Sequence, residues 1–237
     1  MPARFYCMNI GGQTAELDES ESHHVRRVLR LSVGDQVELF DGTGASASAS
    51  VADISCNRVS LTLQDLRRPV TLNRSRLVVA AAPPRGDRLK SMVEKLTELG
   101  VDEFVPLRTV RSVVDPRQSK LDKLRTTVIG AMKQSGRNRL MKIHEVTEFS
   151  MALRIAGAQR QAISIAHPGD ISGNTTLTER CDTLLLIGPE GGFTPEEILQ
   201  ASDYGAKRIS WPEGILRIET ATVVFAGLLI SQMYPAE

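Results

Sequence analysis

The pattern of apolar and polar positions changes character near residue 70. Before that point, short apolar runs separated by turn residues predict a β-rich region. Phe5 to Ile10 reads as a strand. Glu21 to Leu31 has helical spacing, with Val25, Val28 and Leu29 on one face. Val37-Glu38-Leu39-Phe40 alternates as a strand, and Asp41-Gly42 is a strong turn signal. Ala45 to Ile54 and Arg58 to Leu63 again read as short strands. The alternation Ala45-Ser46-Ala47-Ser48-Ala49-Ser50 suits a strand or a flexible loop equally. Arg67-Arg68-Pro69 reads as a linker. Beyond it strands alternate with helices. Leu77 to Ala82 is an apolar strand ended by Pro83-Pro84. Asp87 to Leu99 carries Leu89, Met92, Val93, Leu96 and Leu99 at helical spacing, and Gly100 stops it. Phe104-Val105-Pro106-Leu107 returns to a strand, Leu121 to Lys133 is helical, and Ala162 to Ala166 is another buried strand. This alternation predicts a mostly parallel sheet with helices on both faces.

The stretch from Leu184 to Ala221 carries most information. Leu184-Leu185-Leu186-Ile187 reads as a buried strand that feeds Gly188-Pro189-Glu190-Gly191-Gly192. Thr194 then fits as an N-cap, Pro195 as the first helical residue, and Glu197 as the partner in a capping box. Arg208-Ile209-Ser210-Trp211 is a second strand, leading to Gly214-Ile215-Leu216-Arg217-Ile218-Glu219-Thr220-Ala221. Two backbone-rich turns therefore follow two strands. Ligands of open α/β sheets bind at such strand ends.

Composition narrows the class. A chain of 237 residues with 41% hydrophobic and 24% charged residues can bury an ordinary core in one or two domains. The net charge of +1 gives no bulk attraction to nucleic acid, so any such contact depends on local clusters. Cys7, Cys56 and Cys181 are far apart and odd in number, so neither a disulfide framework nor a zinc site is expected. Met1-Pro2-Ala3-Arg4-Phe5-Tyr6 lacks the apolar core of a signal peptide. The apolar stretch from Ala221 to Ile230 is too short to span a bilayer. A cytoplasmic protein with reduced thiols is the expectation.

Several clusters carry candidate chemistry. Gly188 to Gly192 is neither a P-loop nor a dinucleotide fingerprint. It reads as a tight turn or as a backbone surface for a ligand. Arg217 and Glu219 begin a helix, where an acid suits the dipole and either group could also reach a reacting atom. Gln134-Ser135-Gly136-Arg137-Asn138-Arg139 caps a helix or grips phosphate. Arg26, Arg27 and Arg30 form a basic face that is either solvated or an RNA contact. His167-Pro168 closes the Ala162–Ala166 strand, at the edge of the two glycine-bearing turns. No Ser-His-Asp order and no HExxH motif appears.

Taken together, the chain resembles the RsmE-type family of 16S ribosomal RNA methyltransferases, members of the SPOUT superfamily. The resemblance rests on His23 to Arg30, Val93 to Val101, Arg111-Ser112-Val113-Val114, Gln134 to Arg137, Ile187 to Phe193 and Leu216 to Ala221. It implies an α/β fold: a SPOUT domain with a C-terminal trefoil knot over residues 71–237, preceded by a small PUA-like RNA-binding β-barrel domain over 1–70. It implies methylation of N3 of a uridine in 16S ribosomal RNA or the small ribosomal subunit. It also implies bound S-adenosyl-L-methionine, a homodimer, and no metal or membrane. His167, Pro168, Ile187, Gly188, Pro189, Gly192, Trp211, Ile215, Leu216, Ile218 and Ala221 would hold the cofactor. Arg217 and Glu219 would act in catalysis, and Arg26, Arg27, Arg30 and Arg137 would bind RNA. The chain departs from the family pattern at Lys133 (usually acidic), at Gly214 (usually arginine) and at Ile218 (usually threonine). These departures keep open another RNA target, such as transfer RNA, or an inactive RNA-binding homologue.

Overall fold

The strand periodicity of the first part of the chain produces a five-stranded sheet. The structure, a computed structural model, describes residues 2–55, 58–68, 75–168 and 181–234. Cys56 and the Pro69 end of the expected linker lie outside the described residues. Contacts within the chain define two units: Met1–Asn73 with Ile129–Leu140, and Arg74–Val128 with Met141–Glu237.

The first unit holds strands β1 (Ala3–Tyr6), β2 (Thr14–Glu16), β3 (Gln36–Phe40), β4 (Ser46–Ile54) and β5 (Val59–Arg67), in the order β1-β3-β4-β5-β2. Only β1 and β3 run parallel. The alanine–serine alternation is a strand. Ala47 and Ala49 are buried, while Ser48 and Ser50 are partly exposed. Phe5, Leu17, Val25, Val37, Leu39, Val51, Val59 and Leu61 form the core of this unit. The segment expected as one helix is two pieces: α1 (Glu19–His23), capped by Asp18, and a π-helical turn over His24–Leu29. Val28 and Leu29 therefore do not face inward. They are exposed, and only Val25 of the three is buried. A π-turn takes more residues per revolution, so it rotates positions three and four residues beyond Val25 off the inward face. Arg30 ends the turn in the left-handed region, with its N–H bonded to the Val25 carbonyl.

The second unit holds a parallel sheet. Its strands are β6 (Leu77–Ala81), β7 (Glu103–Arg108), β8 (Lys142–Ile143), β9 (Thr147–Glu148), β10 (Ala162–Ala166), β11 (Thr183–Ile187) and β12 (Lys207–Ile209). The order is β12-β10-β11-β6-β7-β8, with β9 also on β7. Every pairing is parallel. Helices α2 (Arg88–Leu99) and α6 (Ile218–Met233) pack together, and α6 lies on β6 and β11. Helices α4 (Phe149–Ala158) and α5 (Pro195–Asp203) cover another core, built on alternate strand residues Val78, Ala80, Ile163, Ile165, Leu184 and Leu186. Helix α3 (Gln118–Ser135) starts in the second unit, and its last turns group with the first.

Candidate ligand site at the strand ends

Because β10, β11 and β12 are parallel neighbours, their C-terminal ends share one sheet edge. Three loops leave that edge. His167 and Pro168 follow β10, Gly188 to Gly192 follow β11, and Ser210 to Arg217 follow β12. Together with the first turns of α6 they enclose a cavity of about 500 Å³. Its wall includes each residue expected to hold a cofactor: His167, Pro168, Ile187, Gly188, Pro189, Gly192, Trp211, Ile215, Leu216, Ile218 and Ala221. Arg217 lines it too.

Local chemistry explains the shape. Thr194 and Glu197 complete the capping box: Glu197 N–H donates to Thr194 Oγ1 (3.2 Å), and Thr194 N–H donates to Glu197 Oε2 (2.8 Å). This locks the exit of the glycine turn. The turn is pinned again from the loop after β7. Val110 N–H donates to Glu197 Oε1 at 3.0 Å, and Arg111 Nη1 donates to the Gly191 carbonyl at 2.7 Å. Gly188 faces the ring of buried Phe193, and a Cβ there would lie 3.1 Å from ring carbons. Gly214 has φ of 111°, a conformation that L side chains rarely adopt.

Glu219 stands behind the wall. Its Oε1 lies 3.4 Å from Arg88 Nη1, while Oε2 is buried without a hydrogen-bond partner. Arg88 also lies 3.9 Å from Glu190 of the glycine turn. At the cavity, Arg111, Glu190, Phe193, Ser210 and Phe225 join the expected residues. Phe225 sits four residues beyond Ala221 on α6, so helical spacing carried its signal. Arg111 opens one of the stretches that carried the family resemblance, but its place at the cavity comes from Gly191, 80 positions further along the chain.

The basic residues expected to bind RNA all lie in the first unit. Arg27 and Arg30 are exposed, Arg26 and Arg137 half-buried. The unusual Lys133 has a local partner, Glu21 of α1, at 2.5 Å. Arg4 of β1 bonds Asn138 and lies 5.1 Å from the Phe40 ring centroid.

Comparison with known proteins agrees with this architecture. Residues 71–230 match the RNA methyltransferase domain, and residues 17–64 match the RNA methyltransferase PUA domain. The chain belongs to this RNA methyltransferase family and has the α/β SPOUT fold with a PUA domain. It is 29% identical over 231 residues to the ribosomal RNA small subunit methyltransferase E of Rickettsia conorii, covering 93% of this chain and 91% of that protein. It is 31% identical over 223 residues to the enzyme of that name from Synechocystis, covering 89% and 71%. The crystal structure of ribosomal RNA small subunit methyltransferase E from Neisseria gonorrhoeae, bound to S-adenosyl methionine, superposes with a TM-score of 0.86 at 25% identity, covering 97% of each chain. A methyltransferase of Legionella pneumophila with bound cofactor SAM gives a TM-score of 0.84 at 28% identity, covering 98% and 97%.

The residues present fit such a cofactor. The cavity volume lies within the usual range for small-molecule sites. Ile187, Ile218, Ala221 and Phe225 give it an apolar wall. Gly188 leaves backbone open where a side chain would collide with Phe193.

Proposed function

We propose that the protein transfers a methyl group from S-adenosyl-L-methionine to N3 of a uridine in 16S ribosomal RNA of the small ribosomal subunit. The observation that carries this reading is the cavity itself, where loops from three parallel strand ends gather every residue carried over from the family's cofactor motif. S-adenosylmethionine supplies a methyl group on a positively charged sulfur, so no metal is needed to activate it.

The chain's own residues do the remaining work. Ile187, Leu216, Ile218 and Ala221 would exclude water from the cofactor, and the backbone of Gly188, Pro189 and Gly192 would hold it. His167, Pro168, Trp211 and Ile215 complete the wall. Uridine N3 must lose its proton as the new bond forms. Arg217, on the cavity wall, stabilises the charge that develops on the uracil oxygens. Glu219, two residues after Arg217 at the start of α6, is the proposed proton acceptor; its carboxylate lies off the cavity wall and must turn away from Arg88 to reach N3. Arg26, Arg27, Arg30 and Arg137 hold RNA phosphates from the PUA-bearing unit.

Two wider features belong to the same reading. A C-terminal trefoil knot is part of this reading, supported by the loops after β10, β11 and β12 meeting the start of α6 at one cavity. Helix α6 is apolar nearly all round, with Leu228 exposed and Val223, Val224 and Ile230 half-buried. A helix of that kind is normally covered, and a second copy of the chain would cover it as a homodimer. No helix among the described residues is long and apolar enough to cross a membrane. A ribosomal RNA substrate would be met in the cytoplasm.

Small subunits from cells lacking the corresponding gene provide the test. Incubation with protein and S-adenosylmethionine is followed by primer extension, because a methyl on N3 blocks Watson–Crick pairing. A single new stop at a uridine of 16S RNA, with incorporation of one methyl group, is expected. Methylation of transfer RNA instead would move the target, and no transfer to any RNA would leave an RNA-binding homologue. In the same assay Glu219→Gln should lose most turnover while keeping cofactor affinity. Unchanged turnover would remove Glu219 from the mechanism.

A further inference from the structure

We propose that Arg111 is a substrate-positioning residue that grips a phosphate of the target RNA strand at the rim of the cavity. This rests on the RNA methyltransferase reading above, and it adds a contact from the unit that holds the cofactor cavity.

Arg111 is held in place before any ligand arrives. Thr109 and Ser112 close a turn around it: Thr109 N–H donates to Ser112 Oγ (2.9 Å), and Ser112 N–H donates to the Thr109 carbonyl (3.1 Å). The next backbone group, Val110 N–H, is fixed by buried Glu197. The side chain then lies along Gly191. A Cβ at residue 191 would stand 3.4 Å from Arg111 Cδ and 3.5 Å from its Cβ. One guanidinium nitrogen, Nη1, is used on the carbonyls of Gly191 (2.7 Å) and Phe193 (3.5 Å). A guanidinium has two further nitrogens with donors.

Its charge has no direct counter-ion. Among the described residues no carboxylate lies within ion-pair distance of Arg111. Glu196 is near enough to feel it: its carboxyl is held below the usual range first by a backbone N–H and the Thr194 hydroxyl, and then by Arg111. Arg217, the other arginine on the wall, likewise has no carboxylate partner among the described residues. A fixed, unneutralised, forked donor on the wall of a largely apolar cavity is suited to an oxyanion. The target base is uncharged, so the anion that accompanies it is the phosphodiester. Val110 and Val113 flank the arginine and are 77% and 64% exposed, giving apolar surface against which a nucleotide can rest.

The cofactor's own carboxylate is the rival anion, and the test separates the two. Wild type, Arg111→Ala and Arg111→Lys are compared in binding of 16S RNA across a salt series, in S-adenosylmethionine titration, and in steady-state methyl transfer. Arg111→Ala should raise KM for RNA by about tenfold and reduce the slope of log K against log salt by roughly one. Its cofactor Kd should rise only as far as loss of the Gly191 contact requires, so the salt slope is the reading that decides. Arg111→Lys should restore the slope, because the charge returns without the fork, and should restore KM only in part. A merely structural role in pinning Gly191 would weaken cofactor binding and leave the salt slope alone, and that result overturns the proposal. Loss of cofactor affinity alone would assign the arginine to the cofactor carboxylate and overturn it equally. If wild type binds RNA but transfers no methyl, a reduced slope in Arg111→Ala still supports the phosphate contact while the proposed activity fails. If wild type binds no RNA, both fail.

Discussion

At the scale of single residues, the cavity depends on atoms that are missing as much as on those present. Gly188 illustrates this. An added methyl would sit 3.1 Å from the ring of Phe193, which is buried and packed 5.3 Å from Phe149. The ring has little room to yield. Gly188→Ala should therefore lower stability by about 1–3 kcal/mol, as overpacking does, and weaken S-adenosylmethionine binding. Thermal melts with and without cofactor check both effects, and a variant that melts and binds like wild type would contradict the tight wall. Two departures from the family pattern also find physical reasons here. Lys133 pairs with Glu21, which is almost fully buried. Removing one member of such a pair strands a buried charge, so this lysine is tied to its local partner rather than to the cofactor cavity. Gly214 stands at φ 111°, where an arginine would be strained. The loop after β12 has a backbone path here that suits glycine. Ile218 is buried on the cavity wall; nothing in the structure explains why it replaces threonine.

Among elements, what local chemistry dictates was legible in the sequence, and what distant partners dictate was not. The capping box of α5 needs only Thr194, Pro195 and Glu197. The end of α2 needs only Gly100, which takes φ 95°. The apolar strands β6, β10 and β11 are readable because they are buried on both faces. The π-turn over His24–Leu29 was not readable, because its hydrogen-bond shift leaves no mark in residue spacing. The short strands β2, β8 and β9 were missed for a related reason: they are brief and held by their neighbours. Helix α4 was legible, because Phe149, Ala152, Leu153 and Ala156 fall at helical spacing. The far edge of the sheet supplies a pH prediction. Glu103 of β7 meets His144 Nε2 at 2.6 Å and Arg76 Nη1 at 3.4 Å. The His144 hydrogen bond, with His144 and Arg76 charge behind it, holds the Glu103 carboxyl below the usual carboxylate range. A carboxyl depressed in the folded state stabilises above its unfolded pKa, and that contribution is lost as pH falls through the folded value. Glu103→Gln should be less stable by on the order of 1 kcal/mol at neutral pH, after allowing for partial exposure. The gap should close below about pH 4. Urea denaturation across pH checks this, and a constant gap would contradict it.

For the molecule as a whole, the division of labour follows from where each residue type falls along the chain. The cofactor residues gather because three parallel strands end together, and the sequence announces this through glycine, proline and capping signals near residues 188 and 214. The basic residues fall in the PUA-bearing unit, to which residues 129–140 also belong. That return of the chain was invisible in the sequence. Its packing depends on the Lys133–Glu21 and Arg4–Asn138 contacts, each made across more than 100 positions. Arg111 was named only as part of a family stretch with no role, since its meaning lies in Gly191 and the cavity. The central claim is that the cavity at the ends of β10, β11 and β12 binds S-adenosyl-L-methionine. Isothermal titration of the full chain with this cofactor tests it most directly. Saturable binding near one cofactor per chain, weakened by Gly188→Ala and unaffected by Glu219→Gln, is the predicted result. No heat of binding at millimolar cofactor would contradict the account.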